Sequence, residues 1–208
     1  MALIAPLAVA GTVLVGCAPP GSSSAYHYVL PVQPGTSVGY GPVGSHHDYP
    51  AADVFAGSGC GTTLVSPVDG TVLAYRNVDL YVRALDNPAY RGGRYVAILG
   101  RDGVRYYLAH LASVAPGLHV GQSVTAGQAV GVMGESGDAG ACHVHFGISP
   151  PCPRPEWGIR RGVIWPQPYL DAWRRGQNVS PKAEVAAWSA RWPEACKLAE
   201  AAPFAADA

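Results

Sequence analysis

A chain of 208 residues can bury one hydrophobic core, and its 14 Lys and Arg against 14 Asp and Glu leave no net charge. That balance excludes a basic nucleic-acid surface and any broad steering of acidic ligands. Charged residues are only 13%, whereas Gly and Pro number 26 and 19, a density of chain-breakers that suits short strands and turns better than long helices.

Residues 2–15 carry no charge, form too short a run to span a bilayer comfortably, and lead into Leu14-Val15-Gly16-Cys17. This ending resembles a bacterial lipobox. The resemblance implies a signal peptide over 1–17, export to the cell envelope, and a membrane anchor on a lipidated Cys17; a signal peptide cut after Ala10 is the alternative. Residues 18–37 are rich in Pro, Ser and Gly and read as a tether, unless 26–32 form an N-terminal strand.

From 38 to 150 the pattern is β. Runs at 63–65 and 71–75 flank the turn signal SPVDG, and runs at 95–99 and 104–110 flank GRDG, which reads as two hairpins. Residues 77–93 between them form a long surface connection. VGQSV at 120–124 is echoed by AGQAV at 126–130, and 143–148 close the pattern as a last strand. The tail, 151–208, turns helical over 166–175 and 181–202. Ser180-Pro181 supplies an N-cap and first-turn proline, Pro193 ends or kinks the helix, and Trp188 and Trp192 share a face that packs on the sheets. The expected fold is mainly β: a small antiparallel β-sandwich or barrel-like domain with a short helical C-terminal extension.

Four cysteines besides Cys17 suit two disulfides in an exported chain. The short separation of Cys142 and Cys152 favours that pair, with Cys60–Cys196 as complement.

Chemistry concentrates in three segments, in which His47, His110, His143 and His145, four of the seven histidines, are the candidate site residues. In HVHF, His143 and His145 are two apart, so on a strand both imidazoles enter one space. Asp53 lies in the apolar run AADVFA, where a buried carboxylate needs a metal, a cation or several hydrogen bonds. His47 is an even number of residues upstream and shares the face of Asp53 if one strand runs through both, although Pro50 intervenes. His110 ends an alternating strand, on the face of Tyr106 and Leu108. Imidazole and carboxylate are the donors Zn²⁺ binds, and further imidazoles can move protons beside it. A thiol protease is disfavoured, since the cysteines read as structural. Lys182 and Lys197, the two lysines, both lie in the helical tail, which removes a biotinyl- or lipoyl-type carrier.

The order His…Asp, Tyr-x-x-His-Leu, His-x-His-Phe resembles the lysostaphin-type (LytM-like) zinc metallopeptidases, and so do SPVDGTVLAY, GRYVAILGRDGVRYYLAHLASV, VGQSVTAGQAVGVMGESG and CHVHFGIS. The match covers roughly residues 40–150. It implies a small antiparallel β peptidase domain with one Zn²⁺ per chain held by His47, Asp53 and His145. His110 and His143 would be the catalytic histidines acting on a zinc-bound water. The implied function is endopeptidase action on stem or cross-bridge peptides of bacterial peptidoglycan, by a monomer. The alternative within the same fold is a non-catalytic envelope module that binds wall or activates another hydrolase. Two departures stand out. The family usually places four residues from His to Asp, whereas His47 precedes Asp53 by six and His46 by seven, so the first ligand stays open between them with His47 favoured. Cys142 stands where Pro is usual before His-x-His.

Overall fold

The computed structural model describes residues 26–57, 59–153 and 156–200. The expected signal peptide, Cys17 and the first part of the tether lie outside them. Ten strands run in chain order: β1 (Val38–Gly39), β2 (Ala52–Ala56), β3 (Thr63–Val65), β4 (Gly70–Arg76), β5 (Tyr95–Gly100), β6 (Arg105–Ala109), β7 (Leu111–Val114), β8 (Ser123–Val124), β9 (Ala129–Met133) and β10 (Val144–Ser149). Four helices follow: α1 (Trp157–Arg160), α2 (Gln167–Arg174), α3 (Lys182–Arg191) and α4 (Ala195–Glu200). Among the described residues, no helix is long and apolar enough to cross a membrane.

The strands form two antiparallel sheets, one of seven in the order β1-β2-β10-β6-β5-β4-β8 and one of three in the order β3-β9-β7. Alternation sorts the large sheet into two faces. Val54, Ile98, Leu108, Val144, Phe146 and Ile148 point inward and meet Leu64, Leu111, Val130 and Met133 of the small sheet in one core. Ala74, Tyr95, Ala97, Tyr107 and Ala109 form a second apolar cluster separate from that core. Asp53 and His145 alternate with the core residues Val54, Val144 and Phe146, so they too stand on the opposite face of the large sheet from the core.

The hairpin expected around SPVDG is replaced by a change of sheet. β3 pairs with β9, whereas β4 pairs with β5 and β8. Pro67 cannot extend a ladder, and Ser66 closes the corner by donating from Oγ to the Val68 carbonyl at 2.7 Å. The second hairpin, β5–β6, forms as expected. The GQ echo is two equivalent turns. The His119 amide donates to Gln122 Oε1 and the Thr125 amide to Gln128 Oε1, each at 3.1 Å, and the chain enters β8 from one turn and β9 from the other.

Both ends of the described chain pack on the sandwich. Residues 26–32 behave as the strand-like alternative to a tether, with Tyr28 bridging Val68 and Val32 bridging Leu64. The Tyr28 ring stacks on Trp173 of α2 at 5.2 Å, and its hydroxyl donates to buried Asp102 at 2.7 Å. Asp102 also accepts from the hydroxyls of Tyr106 (2.6 Å) and Ser180 (3.1 Å), so one carboxylate ties both chain ends to the β5–β6 turn. The helix expected over 181–202 is broken at Trp192-Pro193 into α3 and α4. Ser180 Oγ accepts from the Lys182 amide at its start, at 3.2 Å. Trp188 packs on the core, but Trp192 is exposed, because α3 ends on it and the expected shared face is lost.

The disulfides are Cys60–Cys142 and Cys152–Cys196, with Cα separations of 5.0 and 5.2 Å, not the pairs the spacing favoured. Cys142 and Cys152 lie beyond opposite ends of β10, whose six residues span roughly 20 Å. A disulfide reaches across about 7 Å at most. Cys60 lies just past β2, the neighbour of β10, so it meets Cys142 where β10 begins.

A buried charge pair completes the joint. Arg105 of β6, 1% exposed, contacts Glu156 at 3.1 Å and donates to the Cys152 carbonyl at 2.6 Å. Burial disfavours its charge, which Glu156 partly restores, leaving its pKa lowered to about 10. Glu156→Ala removes the partner of a buried cation and is expected to cost about 3–5 kcal/mol in urea unfolding. Trp173→Ala is expected to cost a similar ~3–5 kcal/mol by emptying the core under α2.

Candidate metal centre

The sheet face away from the core is the floor of a groove of about 570 Å³. Asp53 on β2 stands directly opposite His145 on β10 in the antiparallel register. Its Oδ1 lies 3.4 Å from His145 Nδ1, 3.4 Å from His143 Nε2 and 3.6 Å from His46 Nε2. The rings of His110 and His143 are 4.8 Å apart, and those of His46 and His145 are 4.9 Å apart.

Each of the four imidazoles is held by a backbone carbonyl. His46 Nδ1–H donates to Tyr49 (3.2 Å), His110 Nδ1–H to Ser136 (2.7 Å), His143 Nδ1–H to Ala141 (2.7 Å) and His145 Nε2–H to Arg161 (2.8 Å). A carbonyl only accepts, so in the neutral ring the other nitrogen is left unprotonated. For His46, His143 and His145 that nitrogen is the atom facing Asp53. Such outer hydrogen bonds are what fix the tautomer and direction of metal-binding histidines.

The burial of these groups sets their protonation. Burial opposes the Asp53 charge, but the neighbouring His143 and His145 rings together outweigh it and hold the carboxyl well below the usual range. Burial lowers His46 to about 4, with the His145 ring adding to the shift. Burial lowers His110 to about 3, reinforced by His145 and His143. His143 moves the other way: burial disfavours its charge, but Asp53 and the Ala141 carbonyl favour the protonated ring and together outweigh it.

Residues 46–50 form bends rather than strand, and β2 begins at Ala52, so the face-sharing argument that favoured His47 does not carry across Pro50. His46 is buried and reaches Asp53, whereas His47 is exposed, its ring 4.7 Å from that of His46. Ligand atoms of His46, His47 and Asp53 nevertheless all lie within 4.8 Å of one another. His110 also departs from its expected face. Its φ is 66°, a left-handed conformation uncommon outside glycine. The twist lifts it off the face of Tyr106 and Leu108 and into the groove with Tyr107, and Leu111 begins β7 in the other sheet. Strict alternation could not have foreseen that step.

The groove also contains Tyr49, Trp157 and Arg161, which sequence reasoning did not single out. They arrive because Gly147 of β10 has no side chain. A Cβ there would strike the Arg161 carbonyl, and a Cβ on Gly162 would strike the Pro50 carbonyl. The turn after α1 therefore presses against β10 and delivers the Arg161 carbonyl to His145.

A family model, Peptidase family M23, matches residues 50–153, half of the chain. The chain belongs to this family. The M23 match includes Asp53, His110, His143 and His145, while His46, His47, Tyr49, Trp157 and Arg161 lie outside it. The chain is 35% identical over 91 residues to an L-Ala--D-Glu endopeptidase of Bacillus subtilis (strain 168), covering 40% of this chain and 26% of that protein. A solved structure of the antimicrobial peptidase lysostaphin from Staphylococcus simulans superposes with a TM-score of 0.52 at 21% identity, covering 72% of this chain and 55% of the other. The likeness to lysostaphin is one of fold, and the chain spans about a quarter of the length of the Bacillus relative.

The protonation pattern is testable in metal-free protein. Imidazole NMR is expected to show His46 and His110 neutral at pH 5, and His143 still carrying its proton at pH values where a free imidazole has lost it. Unfolded His46 and His110 bind protons near pH 6.5 but folded ones only near 4 and 3, so their effect is a loss of stability as pH falls from about 6.5 towards those values. His143 contributes in the opposite sense, its share being lost as pH rises through its folded pKa. Denaturant midpoints between pH 7 and 4.5 check the net direction, a fall on acidification.

Proposed function

We propose that this chain is a zinc-dependent endopeptidase of the bacterial cell envelope that hydrolyses peptide bonds of peptidoglycan. The observation that carries the reading is the meeting of one carboxylate with three imidazoles whose free nitrogens face it. This donor set fits Zn²⁺, which takes imidazole nitrogen and carboxylate oxygen and in catalytic sites keeps a position open.

We assign the ligands as His46 Nε2, Asp53 and His145 Nδ1. The burial of His46 and its approach to Asp53 support it over His47, the ligand favoured by the sequence pattern. Held there, Zn²⁺ supplies Lewis acidity that polarises a scissile carbonyl and acidifies a water. The remaining chemistry is proton transfer, and it falls to His110 and His143. Their Nδ1 protons are committed to carbonyls, which leaves Nε2 of each able to take a proton from the attacking water and return it to the leaving amine. The fixed main chain around them keeps both rings oriented without reorganisation.

The name of the Bacillus relative, with its D-Glu-containing bond, supports a wall peptide as substrate. Two disulfides suit an oxidising compartment outside the cytoplasm, consistent with export and an anchor on Cys17.

Metal analysis of the purified protein is expected to give one zinc per chain, retained in His47→Ala and lost in His46→Ala and His145→Ala. Clearing of a cell-wall zymogram is expected to stop with chelator. It should fall about 10²-fold or more in His110→Ala and His143→Ala, which keep their zinc. A folded wild-type protein that takes up no supplied zinc, or clearing that persists in chelator, would refute the reading; the first result points to a wall-binding module instead.

A further inference from the structure

We infer that Arg161 is a specificity-determining residue of the groove, taking a carboxylate that the peptide substrate carries beside the scissile bond. The inference rests on the endopeptidase reading and narrows its substrate to acidic peptides.

Three arginines line the groove, and they differ in how their charge is spent. Arg91 makes a two-pronged pair with Asp86 at 2.8 and 2.6 Å. Arg160 is buried, lies 3.9 Å from Glu156, and donates to the Tyr95 hydroxyl and the Ala89 carbonyl. Arg161 has no carboxylate partner and no hydrogen-bond acceptor for its guanidinium among the described residues. Its Nε is buried without a partner. What holds it is aromatic: the guanidinium carbon stands 3.8 Å over the Tyr49 ring and 5.5 Å from that of Trp157. Stacking fixes the plane of a guanidinium while leaving its in-plane donors free, the arrangement that suits a two-pronged grip on a carboxylate.

Position makes this cation relevant to the reaction. The carbonyl of the same residue accepts from His145, so the Arg161 main chain touches an assigned zinc ligand. Its side chain lines the same groove as His46, Asp53 and His145. Asp53, the carboxylate of the centre, is engaged by His143 and His145 and is not paired with Arg161. Tyr49, Trp157 and Arg161 all fall outside the segment matched by the family model. A glycine bridge offers no side-chain carboxylate, so the charge favours a stem-type peptide over such a bridge.

The test uses the full zinc-loaded chain and two soluble probes. These are wall peptides with free carboxylates, and the same peptides after their carboxyl groups have been converted to amides. Wild type is expected to prefer the acidic form by about tenfold or more in kcat/KM, with the difference in KM. Arg161→Gln should bring the ratio close to one, and Arg161→Lys should recover part of it. Zinc content measured on each variant separates loss of the charge from disturbance of His145. An equal loss on both probes, or a wild type with no preference, overturns the inference. If wild type cleaves neither probe the endopeptidase reading fails separately. Binding of the two probes then decides the inference, and equal affinities for acidic and amidated forms sink it.

Discussion

A carboxylate facing away from a hydrophobic core and surrounded by imidazoles is the constraint around which this molecule is built. Asp53 is held in its charged form by His143 and His145, and its position follows from pairing opposite His145 in the β2–β10 register. A slip of β2 by one residue would turn Asp53 into the core. The inner face of the large sheet, with Val54, Val144 and Phe146, prevents that slip, so the apolar packing on one side holds the polar geometry on the other. The Cys60–Cys142 disulfide adds a covalent tie between the segments flanking these two strands, directly before His143.

The second layer of organisation is main chain. Four carbonyls, from Tyr49, Ser136, Ala141 and Arg161, each take one imidazole proton and so decide which nitrogen is free. These carbonyls come from three separate regions, namely the bends before β2, the segment between β9 and β10, and the turn after α1. The C-terminal extension is therefore part of the site as well as part of the core. Its anchoring by Arg105–Glu156 and by Trp173 stacked on Tyr28 bears on how His145 is oriented.

Much of this was legible in the residues. Alternation and turn chemistry located most of the strands, the β5–β6 hairpin and the last strand, because inward-facing apolar residues leave a period-two signature. The placing of His143 with His145 followed from the same period. What escaped was non-local or left-handed. The change of sheet at Ser66–Pro67 looks like a hairpin turn because local signals do not say which strand is the partner. The pairing of Cys60 with Cys142 depends on β2 and β10 being neighbours, which spacing along the chain does not reveal. His46 and His47 could not be separated by parity, since the chain through Pro50 is not extended. Arg161 gave no signal at all, because its link to His145 exists only once α1 folds back on Gly147.

His110 shows where the interests of the backbone and of the chemistry diverge. Its φ of 66° is one that glycine adopts freely and that costs a residue with a side chain about 1 kcal/mol or more. The chain keeps histidine there, at the joint where it leaves one sheet and enters the other. Selection for stability alone would drift this position towards glycine, and under the proposed function the work of the imidazole opposes that drift. The residue at 110 thus acts as a marker within the lineage. A descendant that has given up hydrolysis and kept the fold loses its reason to hold histidine there, and the backbone gains by the exchange.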